Sequence, residues 1–176
     1  MELYGERGFE DTTVAEIAKR AGLTERTFFR HFADKREVLF SGSELLVTSL
    51  AEAVVSAPDS ASPLDAVAVA LDVFAALLEE RREFARQRQR IIDANVDLQE
   101  RELIKMAWLS AALADALRRR GVADPAARLA AEAGIAVLRT AFARWVEDPD
   151  GPALGQVMAE SLAELRTVTA APAAAV

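Results

Sequence analysis

The stretch TVAEIAKRAGLTERTFFRHF, residues 13–32, decides how this chain is read. Thr13 followed by Glu16 fits a capping box, in which the hydroxyl takes the Glu16 amide and the carboxylate reaches back to the Thr13 amide. Val14, Ile17, Ala18 and Ala21 share one face of the helix so opened. Gly22 stands where a left-handed residue ends a helix at little steric cost. Leu23 is expected to point back into the core, and Thr24 to cap a second helix. Phe28 and Phe32, four apart, give that helix a buried stripe. Two short helices joined by a tight glycine-containing turn are a helix-turn-helix. Ala18 allows close approach, Gly22 makes the turn and Phe28 fills the angle. An ordinary helical hairpin would explain the same buried positions but not the exposed ones.

With Phe28 inward, Arg26, Thr27, Phe29 and Arg30 project outward or sideways. Arginine can bond guanine bidentately in the major groove, and an apolar side chain can meet a thymine methyl. An aromatic beside two arginines is unusual on a merely solvated face; Phe29 as a core residue is the competing reading. Local charge bears on the choice. From Lys19 to Arg36 the basic residues are Lys19, Arg20, Arg26, Arg30, Lys35 and Arg36, against Glu25 and Asp34. That window sums to +4 inside a chain of formal net charge −7, so the rest carries −11. An acidic chain argues against nucleic acid as a partner. The split reverses the argument, because screening over ~10 Å lets the local field dominate. Asp34 and Glu37 fit a second capping box opening a long helix, with Lys35 at its N-terminus, where free amides can also face a phosphate.

The 176 residues are 52% hydrophobic, and 37 of them are alanine. Alanine is the best helix former and a poor core filler, and apolar residues recur at spacings of three and four rather than two. The fold is therefore expected to be all-α. With no cysteine and a single histidine, His31, a thiolate site, a cysteine nucleophile and a His-based metal cage are excluded. No catalytic residue, metal or cofactor is expected. No charge-free run reaches the ~18 residues of a membrane-spanning helix, and the acidic N-terminus lacks a signal-peptide apolar run, so the expectation is a cytoplasmic protein with no membrane partner.

Breaks at Gly22, Pro58–Pro63, Gly121–Pro125 and Pro149–Pro152 divide the chain. The helices expected are 14–21, 25–31, 35–57, 64–80, 82–93, 97–120, 125–147 and 152–168, after the end of one more before Phe9. Short helices followed by long ones indicate a small N-terminal module at 1–45, which carries the helix-turn-helix, a larger helical body at 46–168 and a tail at 169–176.

Residues 8–40, GFEDTTVAEIAKRAGLTERTFFRHFADKREVLF, resemble the DNA-binding domain of TetR-family transcriptional regulators. The resemblance covers about 33 contiguous residues; the rest is similar in architecture and length only. It implies an N-terminal three-helix helix-turn-helix domain and a C-terminal helical domain for effector binding and dimerisation. It implies a homodimer that represses transcription from a palindromic operator and is released by a small-molecule effector, here unknown. It implies base contacts from Arg26, Thr27, Phe29 and Arg30, and phosphate contacts from Thr13, Thr24, His31 and Lys35. Family members carry a longer first helix, often after a basic arm. Only Met1 to Arg7 precede Gly8 here, so the first helix is expected to be truncated.

In the body, the resemblance places an effector pocket among the central helices, and Phe74, Leu78, Ile92, Trp108 and Phe142 are its candidate lining. For each of them a place in the core is the plainer reading. The run EERREFARQRQR, residues 79–90, offers arginines that could face an anionic effector; a solvated helix face is the plainer reading. Stripes on the last two helices, Ala131, Ile135 and Leu138 on one and Leu154, Met158 and Leu162 on the other, suit a two-fold four-helix dimer interface. Packing within the chain would explain the same stripes. An enzyme lacks support because no Gly-rich phosphate loop or nucleophile–base pair is present. A helical protein-interaction module would leave Arg26, Phe29 and Arg30 without a role.

Overall fold

The computed structural model describes residues 1–170; of the expected tail, 171–176 lie outside the described residues. The elements are α1 (Glu2–Arg7), α2 (Val14–Arg20), α3 (Glu25–His31), α4 (Glu37–Phe40), α5 (Ser43–Ser56), α6 (Pro63–Leu78), α7 (Arg82–Asp93), α8 (Val96–Arg119), α9 (Asp124–Glu147) and α10 (Leu154–Thr169), with one 3-10 turn, Glu79–Arg81, leading into α7. No strand occurs among the described residues. The architecture is all-α, as the spacing of apolar residues requires.

The helix starts follow local chemistry. Ser62 caps α6 by accepting from the Asp65 amide, with Pro63 in its first turn. Pro125 plays the same part in α9. One expectation is corrected. The continuous helix over 35–57 is two helices, because Ser41 is extended and Gly42 has φ +81, a conformation that other residues rarely adopt. The second capping box is only half made. Asp34 accepts from the Arg36 and Glu37 amides at 2.8 and 3.3 Å, but the Glu37 carboxylate turns away to pair with Arg101.

Two apolar cores result. The larger lies between α5, α6, α8, α9 and α10 and contains Leu50, Val67, Leu71, Leu109, Leu113, Leu117 and Trp145. Its alanines let helices approach closely: Ala66 and Ala70 of α6 and Ala127 and Ala131 of α9 are all buried in it. At Gly134 a Cβ would overlap Val67 Cγ1, so α6 crosses α9 only because this position has none. Arginines pin the ends. Arg82 lies 4.8 Å from the Trp145 ring and donates to the carbonyls of Pro149 and Gly151, holding the α9–α10 turn. Arg120 donates to Val55, Ala57 and Pro58, fastening the end of α5 to α8.

The smaller core straddles the two modules. Tyr4, Phe9, Leu39 and Phe40 from the N-terminal part pack with Ile91, Ile92 and Leu98 of α7 and α8. The segment Glu37–Ser56, with mean hydropathy 1.5, is apolar and long enough to cross a membrane by composition alone. Here it is broken at Gly42, and its Leu50 and Val54 belong to the larger core.

Burial overturns two sets of expectations. Ala131, Ile135, Leu138, Leu154, Met158 and Leu162, read as a dimer face, are at most 8% exposed within one protomer; they join α9 and α10 to α6. The outward stripes of these helices are smaller residues, Ala133, Ala136, Thr140 and Ala143 on α9 and Ala159 and Ala163 on α10, flanked by exposed Leu129 and Val168. The candidate pocket lining does not assemble either. Phe74 and Phe142 are neighbours, with ring centroids 6.4 Å apart, and Leu78 packs on the same core. Ile92 belongs to the smaller core, and Trp108 is 67% exposed on α8.

Tyr4, the only tyrosine, is buried, and its hydroxyl donates to the Lys35 carbonyl at 2.6 Å. Burial, and secondarily the negative charge of Asp34, push its phenol up to about 12. Because the neutral form is favoured in the folded state, this contribution to stability is complete below the unfolded value of ~10 and is lost as pH rises towards 12. An ultraviolet titration of tyrosinate absorbance therefore reports one residue, with a midpoint near 12 if the fold survives. Tyr4→Phe is expected to flatten the loss of stability between pH 10 and 12, checked by urea melts across that range.

Candidate nucleic-acid interface

The Thr13 capping box forms completely: the Glu16 amide donates to Thr13 Oγ1 at 3.3 Å, and the Thr13 amide donates to Glu16 Oε2 at 2.9 Å. Gly22 has φ +70, and Leu23 donates back to the Ala18 carbonyl at 2.8 Å, which closes the turn. Thr24 caps α3 by accepting from the Thr27 amide at 3.2 Å. Ala18 and Phe28 are 1% and 2% exposed, and the Phe28 ring stands 5.1 Å from Phe32. Leu23 departs from expectation: it is 45% exposed rather than in the core.

Seating Phe28 turns Arg26, Phe29 and Arg30 outward. Phe29 is 55% exposed and meets Phe28 edge-on at 5.5 Å, which excludes the reading of Phe29 as core. Thr27 is half-buried, its hydroxyl 3.0 Å from that of Thr24. Neither Arg26 nor Arg30 has an ion-pair partner among the described residues. Arg30 lies 3.4 Å from His31 Nε2. The four base-contact candidates thus share one short helix, with an apolar ring between two uncompensated guanidinium groups.

The phosphate-contact candidates divide. Thr13, Thr24 and His31 are exposed around the two helix ends. The Thr13 hydroxyl donates to Glu16, a bond that contact with DNA would have to exchange. Lys35 is a correction: its ammonium donates to the carbonyls of Phe9, Glu10 and Thr12 at 2.8, 2.9 and 3.2 Å and lies 4.4 Å from the Phe9 ring. All three of its donors are engaged, so it is a staple of the module rather than a free cation.

The same holds for two more of the six basic residues. Arg20 pairs with Glu2 and Glu6 of α1, whose side-chain hydrogen bonds and charges raise its pKa. Arg36 pairs with Asp34 and lies 3.9 Å from Asp97; Asp34 is held below its usual range first by its hydrogen bond from Arg36. The field at the exposed edge comes from Lys19, Arg26 and Arg30. The partners of Lys35 and Arg20 lie outside the window that gave +4, so the linear count could not show this. Among the described residues no three His, Cys, Asp or Glu side chains gather as a metal site.

The reading of the sequence missed a charged cluster inside the protein, Arg88, Glu102 and Lys105. A signal was present. Glu102 and Lys105 fall at positions that face inward with Leu98, Met106 and Leu109 on α8, where an apolar stripe should carry no charge.

Lys35→Met is expected to lower stability by about 1–3 kcal/mol, the scale of losing charged hydrogen bonds to carbonyls, as measured by urea unfolding. It is expected to leave the salt dependence of DNA binding unchanged, whereas a lost phosphate contact lowers the slope by ~1.

Comparison with known proteins agrees with this geometry. Residues 1–41 match the family described as bacterial regulatory proteins, tetR family, and residues 61–170 match the MftR C-terminal domain. The HTH-type transcriptional regulator TcmR of Streptomyces glaucescens is 37% identical over 67 residues, 38% of this chain and 30% of that protein. MftR of Mycobacterium tuberculosis, a transcriptional regulator named for mycofactocin biosynthesis, is 28% identical over 152 residues, 84% of this chain and 76% of that protein. The crystal structure of the regulator PfmR from Thermus thermophilus superposes with TM-score 0.51 at 25% identity, covering 95% of this chain and 92% of that one. FadR of Thermus thermophilus, a repressor solved with lauroyl-CoA, gives 0.55 at 23%, covering 100% and 94%, and shares the fold.

Proposed function

The chain belongs to the TetR family of bacterial transcriptional regulators, and we propose that it is a repressor released from a palindromic operator by a small-molecule effector. It is a DNA-binding regulator, not an enzyme. One observation carries the finer reading: Phe29 stands exposed between Arg26 and Arg30 on a helix whose other side is locked by Phe28. Exposing an aromatic ring to water has no benefit within the protomer, and the major groove supplies its partner in a thymine methyl, with guanine for the arginines. Thr24 and His31 at the two ends of α3, with Lys19, contact phosphate and fix register. Residues 1–45 act as the DNA-binding module and 46–168 as the effector and dimerisation body.

A homodimer supplies two recognition helices for successive major grooves ~34–36 Å apart. The outward stripes of α9 and α10 support it. Small residues there allow close approach of a second copy, and Leu129 and Val168 are exposed beside them. Release follows as a shift between a state whose helices match the groove spacing and one whose helices do not. Such a regulator acts in the cytoplasm, where its operator is.

Fluorescence anisotropy against a DNA library at ~100 mM salt is expected to select a palindrome. Arg26→Ala and Phe29→Ala are each expected to weaken that site by ~1–3 kcal/mol without lowering thermal stability. Wild-type affinity in both variants would remove the recognition role from α3. Light scattering at micromolar concentration should report a dimer that Ala136→Glu converts to monomer; a dimer that tolerates this charge uses another face.

A further inference from the structure

The arginine-rich run Glu79–Arg90 is not one solvated face. Arg82 is engaged with loop carbonyls and Arg86 with Glu83, while Arg88 turns to the junction between the modules. Arg88 Nε donates to the Leu39 carbonyl of α4 at 2.9 Å, Arg88 Nη2 donates to Glu102 Oε2 at 2.6 Å, and the guanidinium lies 5.0 Å from the Phe40 ring. Lys105 Nζ donates to Glu102 Oε1 at 3.2 Å. These side chains are only 14%, 21% and 16% exposed for Arg88, Glu102 and Lys105. The neighbouring carboxylate, Glu37, is bound to Arg101. Two covered cations therefore share one carboxylate, and the Lys105 ammonium has one partner for three donors among the described residues.

Burial depresses the Lys105 amine, and Arg88 adds to the effect against the opposing Glu102. Burial raises the Glu102 carboxyl, but Arg88 and Lys105 outweigh it and hold it below its usual range. A covered excess of positive charge is costly unless an anion joins it. The planar guanidinium fork and the adjacent ammonium suit a carboxylate.

We propose that Arg88, Glu102 and Lys105 read the charge of the effector: the carboxylate of a small organic acid pairs with Arg88 and Lys105 in place of Glu102 and loosens the hold of Arg88 on the Leu39 carbonyl. The inference rests on the ligand-release reading above and specifies its chemistry. Arg88 touches both modules, so an anion that binds better when Arg88 faces it favours the arrangement in which α4, and with it the helix-turn-helix, is unfastened.

The test uses hexanoate, with uncharged hexanamide and inorganic phosphate as separate arms at matched ionic strength. Binding is read by calorimetry on the full chain without DNA, and release by anisotropy with operator DNA. Glu102→Gln removes the competing anion and is expected to tighten hexanoate about 10-fold; Lys105→Met is expected to weaken it about 10-fold. Circular dichroism checks that both variants fold. A purely structural cluster would move both variants the same way. That result, equal binding of hexanoate and hexanamide, or binding of phosphate alone would overturn the assignment. If the variants shift hexanoate affinity in opposite directions but hexanoate does not release DNA, the anion site stands and the release reading fails. If DNA is released by ligands that ignore these variants, the release reading stands and the anion site fails.

Discussion

One buried ring sets the geometry on which function depends. Phe28 fills the angle between α2 and α3 against Ala18, and no water reaches either residue to speak of. A ring held this way fixes the rotation of α3 about its own axis, since one turn of helix separates Phe28 from its tilted neighbour Phe32. The side chains one and two positions away then have no choice of side. Phe29, Arg26 and Arg30 are presented because Phe28 is not. Truncating the ring would cost about 3–5 kcal/mol in a well-packed core, and it would blur the aim of the helix before it unfolded the chain.

The helix-turn-helix is too small to hold itself together with apolar burial alone. Two devices make up the difference. Lys35 gathers the carbonyls of Phe9, Glu10 and Thr12, and Tyr4 donates to the carbonyl of Lys35 itself. The second device is the shared core, in which Leu39 and Phe40 pack with Ile91, Ile92 and Leu98. Because the second device belongs partly to the body, it ties α1 and α4 to α7 and the start of α8.

Most of the fold was legible because its signals are local. Thr13 with Glu16, Gly22 and Thr24 mark helix ends by local chemistry, and each does so in the structure. The break at Gly42 was less visible, since a glycine within an apolar periodic run can be tolerated or can end the helix. Outward and inward faces of α9 and α10 could not be separated by pattern. Ile135, Leu138 and Met158 make the cleaner stripe, and the cleaner stripe is the one that a core needs. At the interface, Arg26, Phe29 and Arg30 were legible from the position of Phe28. The fates of Lys35 and Arg20 were not, because their partners come from loop carbonyls and from α1, brought near only by folding. The Arg88–Glu102 pair is likewise a contact across fourteen residues and two helices.

Under the proposed function, α3 enters the major groove and reads base edges there as part of a two-fold assembly. Dimethyl sulfate protection of guanine N7, which faces only the major groove, measures this on a selected operator. Two protected guanine clusters are expected, their centres about one helical turn, ~34–36 Å, apart, both lost with Arg26→Ala. Protection confined to one cluster, or full methylation at every guanine of a bound site, would contradict it.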